Sequence, residues 1–327
     1  MNPLVHLAIH PSQFPDQVRQ DLLNSLRTRQ VNHKFHYDSV KQAQKWLALH
    51  QIYSPTRNDA DCLAVYEQSF SAAAAQIATP QVVVVGLGCG GGQKDTRLLK
   101  QLTAAGHTAG YAPCDVASAL VLIARQAALA VVPPERCHPL VFDLAAATDL
   151  PEVFAETLAP QATRLFTFFG MIPNFEPSSI LPRLASLLKI GDFMLFSANL
   201  APGPDYTAGV QKIFPQYDNA PTREWLLTFL LDLGVERGDG EFRFEIEADP
   251  ASGLQRLVGQ FHFTRPCRIE IETDVFEFPT GSAVRLFFSY RYTPDRVQSA
   301  LAAHGLQVLQ QWITPSTEEG VFLCRRI

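Results

Sequence analysis

Apolar positions change their spacing three times along the chain. From Pro15 they recur at Val18, Leu22, Leu23 and Leu26, the spacing of an amphipathic helix. A second helical stretch carries Trp46 and Leu49 and ends at Tyr53-Ser54-Pro55-Thr56-Arg57, where Pro55 breaks regular structure. Asn58 or Asp59 can cap the next helix, over 61–78. This leading segment of about 60 residues is too long for a linker and reads as a lid or substrate-side piece.

At Val82–Val85 the helical spacing gives way to four consecutive valines. They are β-branched and apolar on both faces, as a central parallel strand requires. Gly86, Gly88, Gly90, Gly91 and Gly92 follow, a turn in which backbone must pass close to something. A helix then carries Leu98, Leu99 and Leu102 on one side. Further strands are expected at 108–113, 139–142, 163–169 and 192–197, with helices at 116–130 and 180–188. Strands separated by helices predict a parallel doubly wound sheet, an α/β fold whose ligand lies at the carboxyl ends of the strands. Those ends carry the glycine run, Asp115, Asp143 and Gly170 to Asn174.

Ala201-Pro202-Gly203-Pro204 interrupts this alternation. A helix at 222–233 precedes period-two stretches at 241–246, 254–272 and 284–290, the mark of antiparallel strands. The tail returns to the earlier pattern: helix 295–304, Gly305, strand 307–312, turn, strand 320–325. A helix followed by a terminal hairpin, with one antiparallel edge strand, is how the sheet of a class I methyltransferase ends. Residues 200–289 then read as a substrate insert within such a fold.

Composition narrows the class. A net charge of −5 offers no electrostatic footprint for nucleic acid or an anionic membrane. No apolar run reaches the ~20 residues of a membrane span. The N-terminus has no charged segment followed by an apolar one. Cys62, Cys89, Cys114, Cys137, Cys267 and Cys324 lack C-x-x-C spacing and read as reduced thiols of a cytoplasmic protein. The nine histidines lack ligand spacing, so no metal is expected. His262 reads as a solvent-side or satisfied core residue, and Trp46, Trp225 and Trp312 as packing residues. The expected partner is a small molecule, and the expected assembly a monomer or simple homodimer.

The glycines admit two cofactors. Gly86, Gly88 and Gly91 satisfy G-x-G-x-x-G, the dinucleotide fingerprint. Gly86, Gly88 and Gly90 satisfy G-x-G-x-G, the fingerprint of S-adenosylmethionine (SAM). Asp115, after the second strand, suits the ribose hydroxyls of either cofactor. Asp143-Leu144, after the third, favours SAM, with an acid for the adenine amino group and an apolar neighbour for its ring.

These residues resemble a known family. Val85-Gly-Leu-Gly-Cys-Gly90 with Lys94 and Thr96, Tyr111-Ala-Pro-Cys-Asp115-Val116, Phe142-Asp143, and Phe168-Phe-Gly-Met-Ile-Pro-Asn174-Phe175 look like the histidine Nα-methyltransferases of ergothioneine biosynthesis. Tyr37-Asp38 and Tyr53-Ser-Pro-Thr-Arg57 match that family's N-terminal pieces. The resemblance runs from about Lys34 to Tyr292. It implies a Rossmann-like class I SAM-dependent methyltransferase fold with a second, smaller α+β substrate domain. Residues 1–61 and 200–289 would form the substrate domain or lid, and 62–199 with 290–327 the SAM domain. It implies that Gly88, Lys94, Asp115, Asp143 and Leu144 bind SAM, joined by the loop glycines Gly86 and Gly90 and the strand-end Gly170. Asn174 and Tyr217 would hold the amine and carboxylate of an amino acid, Tyr37 and Tyr53 would line its site, and Ser289 would stand near its ring.

One departure bears on specificity. Two residues before that serine the family places a glutamate that recognises imidazole, whereas this chain has Phe287. The expected activity is therefore SAM-dependent methylation of the amino group of a small amino acid or related amine, with altered side-chain specificity. A nicotinamide oxidoreductase and a non-catalytic protein of the same fold remain the alternatives.

Overall fold

Val82–Val85 show how the core is organised. Their side chains alternate across the strand. Val83 and Val85 join one apolar cluster, Val82 and Val84 a second on the opposite face. A strand buried on both faces needs helices on both sides, and the chain supplies them. The computed structural model describes residues 4–54 and 58–327. Helices α1 (Pro15–Thr28) and α2 (Val40–Tyr53) come first. Helix α3 (Ala60–Gln76) is capped by Asp59, whose carboxylate accepts the N–H of Asp61 and Cys62. It packs with α4 (Gln93–Ala104) and α5 (Ser118–Ala128) on one face. Helices α6 (Leu150–Thr157) and α7 (Pro177–Leu187) cover the other.

The large sheet has eight strands. They are β1 (Ala8–Ile9), β2 (Gln81–Leu87), β3 (Thr108–Asp115), β4 (Leu140–Val141), β5 (Thr163–Phe168), β6 (Phe193–Asn199), β12 (Leu306–Ile313) and β13 (Glu319–Arg326). Their spatial order is β1-β4-β3-β2-β5-β6-β13-β12. All pairs from β1 to β6 are parallel, and β13 runs antiparallel to both β6 and β12. The antiparallel strand is thus inserted one place in from the edge, and the edge itself is β12. Glu319 pairs with Asn199 in that insertion, which brings the start of β13 to the carboxyl end of β6.

Helices α8 (Tyr206–Ile213) and α9 (Ala220–Asp232) lead into a second sheet of β7 (Gly240–Asp249), β8 (Leu254–Phe263) and β11 (Ala283–Arg291), with a hairpin of β9 (Cys267–Ile271) and β10 (Asp274–Phe278) beside it. The chain closes through α10 (Pro294–Ala302) and the β12–β13 hairpin. The alternation at 254–272 is two strands rather than one. It breaks at Thr264-Arg265-Pro266, where proline has no N–H for a ladder. The short helices α6 and α8 escaped the pattern reading, since eight residues span barely two turns of periodicity.

The N-terminal segment and the late insert share one apolar cluster. Leu26, Val31 and Phe35 meet Trp225, Phe229, Phe244, Phe263 and Phe287 there. The same segment also sends β1 to the edge of the large sheet, pairing Ala8 with Leu140 and Ile9 with Val141. Among the described residues no helix is long and apolar enough to cross a membrane.

Candidate active site

A cavity of about 650 Å³ opens at the carboxyl ends of β2, β3, β4 and β5. It is lined by Gly88, Gly90, Lys94, Asp115, Asp143, Leu144 and Gly170, the residues expected at a cofactor. Tyr37, Tyr53, Asn174, Tyr217, Phe287 and Ser289, expected at an acceptor, line the same space. Pro55, Thr56 and Arg57 lie outside the described residues.

Gly86 is the exception among the expected cofactor residues. It does not line the cavity. A Cβ on it would come within 2.3 Å of Asp95 Oδ2. Asp95 is almost fully buried and accepts the hydroxyls of Tyr111 at 2.7 Å and Thr167 at 2.8 Å. Gly86 thus makes room for a carboxylate that ties together the ends of β2, β3 and β5. Gly90 is a loop glycine in the ordinary sense. Its φ of +52° favours a residue without a side chain, and a Cβ would meet the Trp46 ring at 2.7 Å.

Asp115 braces this loop. One carboxylate oxygen accepts the Gly90 N–H at 3.1 Å, the other the Ala117 N–H at 3.1 Å. Burial nevertheless raises its pKa to about 6, against the lowering by those N–H groups. At Asp143, Oδ1 accepts the Ala145 N–H at 2.8 Å, while Oδ2 is buried without a hydrogen bond. Lys34 Nζ stands 3.5 Å from Oδ2, an ion-pair contact without hydrogen-bond alignment, and also binds Asp21. An orphaned buried carboxylate oxygen calls for a donor. An exocyclic amino group such as that of adenine supplies one, so these residues fit the adenosine end of SAM. Gly170, at φ +69°, donates its N–H to Ser197 Oγ at 2.8 Å.

The other end of the cavity is aromatic. The Phe287 ring lies 5.9 Å from Tyr217, 6.4 Å from Trp225 and 5.3 Å from His33. Leu286 forms a bulge in the β11–β8 pairing, and from Phe287 onward the register is regular. Phe287 and Ser289 therefore share a face. Ser289 Oγ is 3.3 Å from the Tyr217 hydroxyl, which also accepts from the buried Arg291. Asn174 donates Nδ2 to the Phe288 carbonyl at 2.7 Å. Among the described residues nothing donates to its Oδ1, which leaves an acceptor for an N–H. His33 is kept neutral by burial first, then by the neighbouring His36 and Arg285, its pKa falling well below the usual value. Tyr37 packs edge-on against Trp46 and Trp225, and Tyr53, half exposed, stands at the rim.

Trp46 and Trp225 are cavity walls as well as packing residues, whereas Trp312 packs against the cluster around α3. His262 lies on β8 and does not line the cavity. It is neither fully exposed nor satisfied, since its Nε2 is buried without a partner. Glu270, Glu272 and Asp274, on the β9–β10 hairpin, stay outside the cavity, paired to Arg268 and Arg19. His33, Lys34 and Glu319 line the cavity unannounced by any motif, because each arrives from an element far off in sequence.

Comparison with known proteins agrees with this geometry. No curated protein sequence matches the chain. Among solved structures the chain is similar, at a low level, to magnesium protoporphyrin IX methyltransferase from Synechocystis PCC 6803 with bound S-adenosylhomocysteine, at 13% identity and a TM-score of 0.46, covering 90% of this chain and 98% of that one. The CcbJ methyltransferase from Streptomyces caelestis gives 12% identity and a TM-score of 0.40, over 80% and 95% of the two chains. The sequence model of the histidine-specific, SAM-dependent methyltransferases matches residues 17–326. That match settles the cofactor in favour of SAM over a nicotinamide: the chain belongs to the histidine-specific, SAM-dependent methyltransferase family.

Proposed function

We propose that the protein methylates the amino nitrogen of a small amino acid or related amine, with a side-chain pocket that favours an apolar or aromatic group over imidazole. The observation that carries this reading is the pairing of Asn174, its Oδ1 free, with the Tyr217–Ser289 couple and the Phe287 ring in the same cavity as the glycine loop. SAM supplies an activated sulfonium methyl when bound. What the chain must add is orientation: an amine held neutral, close, and with its lone pair toward the methyl group. Asn174 Oδ1 would accept an N–H of that amine and fix the direction of the lone pair. Tyr217 would hold the carboxylate, Ser289 would stand near the side chain beside Phe287, and Tyr37 and Tyr53 would close the acceptor side. Gly88, Gly90, Lys94, Asp115, Asp143, Leu144 and Gly170 would hold the cofactor.

In this reading residues 1–61 and 200–289 serve the acceptor, and 62–199 with 290–327 the cofactor. The apolar cluster joining the N-terminal segment to the late insert supports that division, with β1 as the piece that crosses it. The test is methyl transfer from SAM to histidine, tryptophan, tyrosine and phenylalanine, with the product located by mass spectrometry. Transfer to the α-amino group of an aromatic amino acid is expected. Transfer to oxygen, sulfur or carbon alone, or histidine outrunning the other three, overturns the reading.

A further inference from the structure

Two opposite charges stand close together in the cavity wall, and the cofactor reading uses only one of them. Lys94 Nζ and Glu319 Oε1 are 4.0 Å apart, and both side chains are largely buried. Lys94 comes from the first turn of α4, directly after the glycine loop. Glu319 comes from the far end of the chain, placed beside Asn199 by the antiparallel insertion of β13.

The pair is held by a fixed frame. The Tyr66 hydroxyl accepts from Lys94 at 2.9 Å and donates to Glu319 Oε1. Ser197 Oγ lies 2.9 Å from the same hydroxyl and receives the Gly170 N–H. Cys62 Sγ approaches Glu319 Oε2 at 3.4 Å. The backbone of Glu319 is clamped by Thr314, whose hydroxyl accepts its N–H at 3.2 Å and whose own N–H meets its carbonyl at 3.0 Å. Neither charge is saturated by this frame. An ammonium has three donors and a carboxylate about four lone-pair sites, of which one and two are used. A simple ion pair would have closed to hydrogen-bond distance. Here a tyrosine holds the partners apart while both face the cavity.

Such a pair fits the two ends of an α-amino acid, whose carboxylate and ammonium sit on one carbon. We infer that Glu319 binds the α-ammonium of the methionine portion of SAM, opposite Lys94 on its α-carboxylate. The inference rests on Lys94 as a cofactor residue and is independent of the methyl acceptor. It gives the β12–β13 hairpin a role in cofactor recognition, and the Tyr66–Ser197–Gly170 chain a role in fixing the distance between the two charges.

Calorimetry tests it with two ligands. S-adenosylhomocysteine carries the amino-acid tail, and 5′-methylthioadenosine lacks it. Glu319→Gln should weaken S-adenosylhomocysteine about tenfold, the loss of one charge-assisted hydrogen bond, and leave methylthioadenosine within about twofold. Unchanged S-adenosylhomocysteine affinity, or equal weakening of both ligands, overturns the inference. Lys94→Met separates the underlying assignment. If it leaves S-adenosylhomocysteine binding intact, the tail does not lie here at all. If it weakens binding while Glu319→Gln does not, only the role of Glu319 fails. Should Glu319→Gln not fold, the unmodified protein decides. The desamino analogue of S-adenosylhomocysteine should bind about tenfold more weakly than the parent, and equal affinity refutes an ammonium site.

Discussion

The two ends of the cavity are built in different ways. The cofactor end is made from the carboxyl ends of neighbouring strands. Asp115 grips Gly90, Asp143 grips Ala145, and each contact spans a short turn or adjacent strands. The end proposed for the acceptor is made from rings delivered by elements far apart in sequence: His33 before α2, Tyr217 and Trp225 around α9, Phe287 on β11. The first can be specified by local turn chemistry. The second exists only once two sheets and the N-terminal helices have packed. A family can therefore keep the first and alter the second; in the proposed reading the glycine loop is kept, and the Phe287 ring stands where the family resemblance expects an imidazole-reading carboxylate.

The largest effect should come from Asn174, at the boundary between the two ends. Asn174→Ala should lower kcat/KM about a hundredfold or more through lost positioning, and leave the affinity for S-adenosylhomocysteine unchanged. Equal loss of both would make the residue a structural brace for Phe288 rather than an acceptor clamp. Next, Asp115→Ala should weaken S-adenosylhomocysteine by about 1.5–3 kcal/mol in calorimetry, since it removes a buried acceptor and loosens the loop at Gly90. Unchanged affinity would remove Asp115 from the cofactor end.

Specificity gives the sharpest contrast at the acceptor end. Phe287→Glu should raise the ratio of kcat/KM for histidine over phenylalanine by about tenfold to a hundredfold, because it restores an acceptor for a polar ring. A ratio that does not move would mean that the Phe287 side of the cavity does not contact the substrate side chain.

The smallest effect is a pH dependence at the cofactor end. Burial raises Asp115 from 3.8 to about 6. A carboxyl raised on folding contributes stability that is present below its unfolded pKa and lost as pH climbs through its folded pKa. Asp115→Asn removes that loss. The Tm of Asp115→Asn minus that of the unmodified ligand-free protein should therefore increase as pH rises from about 4 to about 7. A flat difference would show that Asp115 already ionises normally, and that the N–H groups of Gly90 and Ala117 outweigh its burial.

Much of the framework was legible from local signals. Four valines, a glycine run and acids at strand ends identify a doubly wound sheet and its ligand edge, because period and turn chemistry depend on neighbours within a few residues. They also bring Asp115, Asp143 and Asn174 to the right edge without any tertiary information. Gly86 marks the limit of such signals: the motif records that a glycine is needed, and packing reveals that a Cβ there would meet Asp95. The hairpin with its antiparallel strand was expected; tertiary structure alone placed that strand, β13, between β6 and β12 rather than at the edge, which carries Glu319 to 4.0 Å from Lys94. It alone decided that Trp46 and Trp225, while packing in the apolar cluster, also wall the cavity. Contacts between residues 94 and 319, or 33 and 287, leave no trace in local periodicity. They depend on strand order and on how two apolar surfaces meet, and the chain acquires both only when it folds.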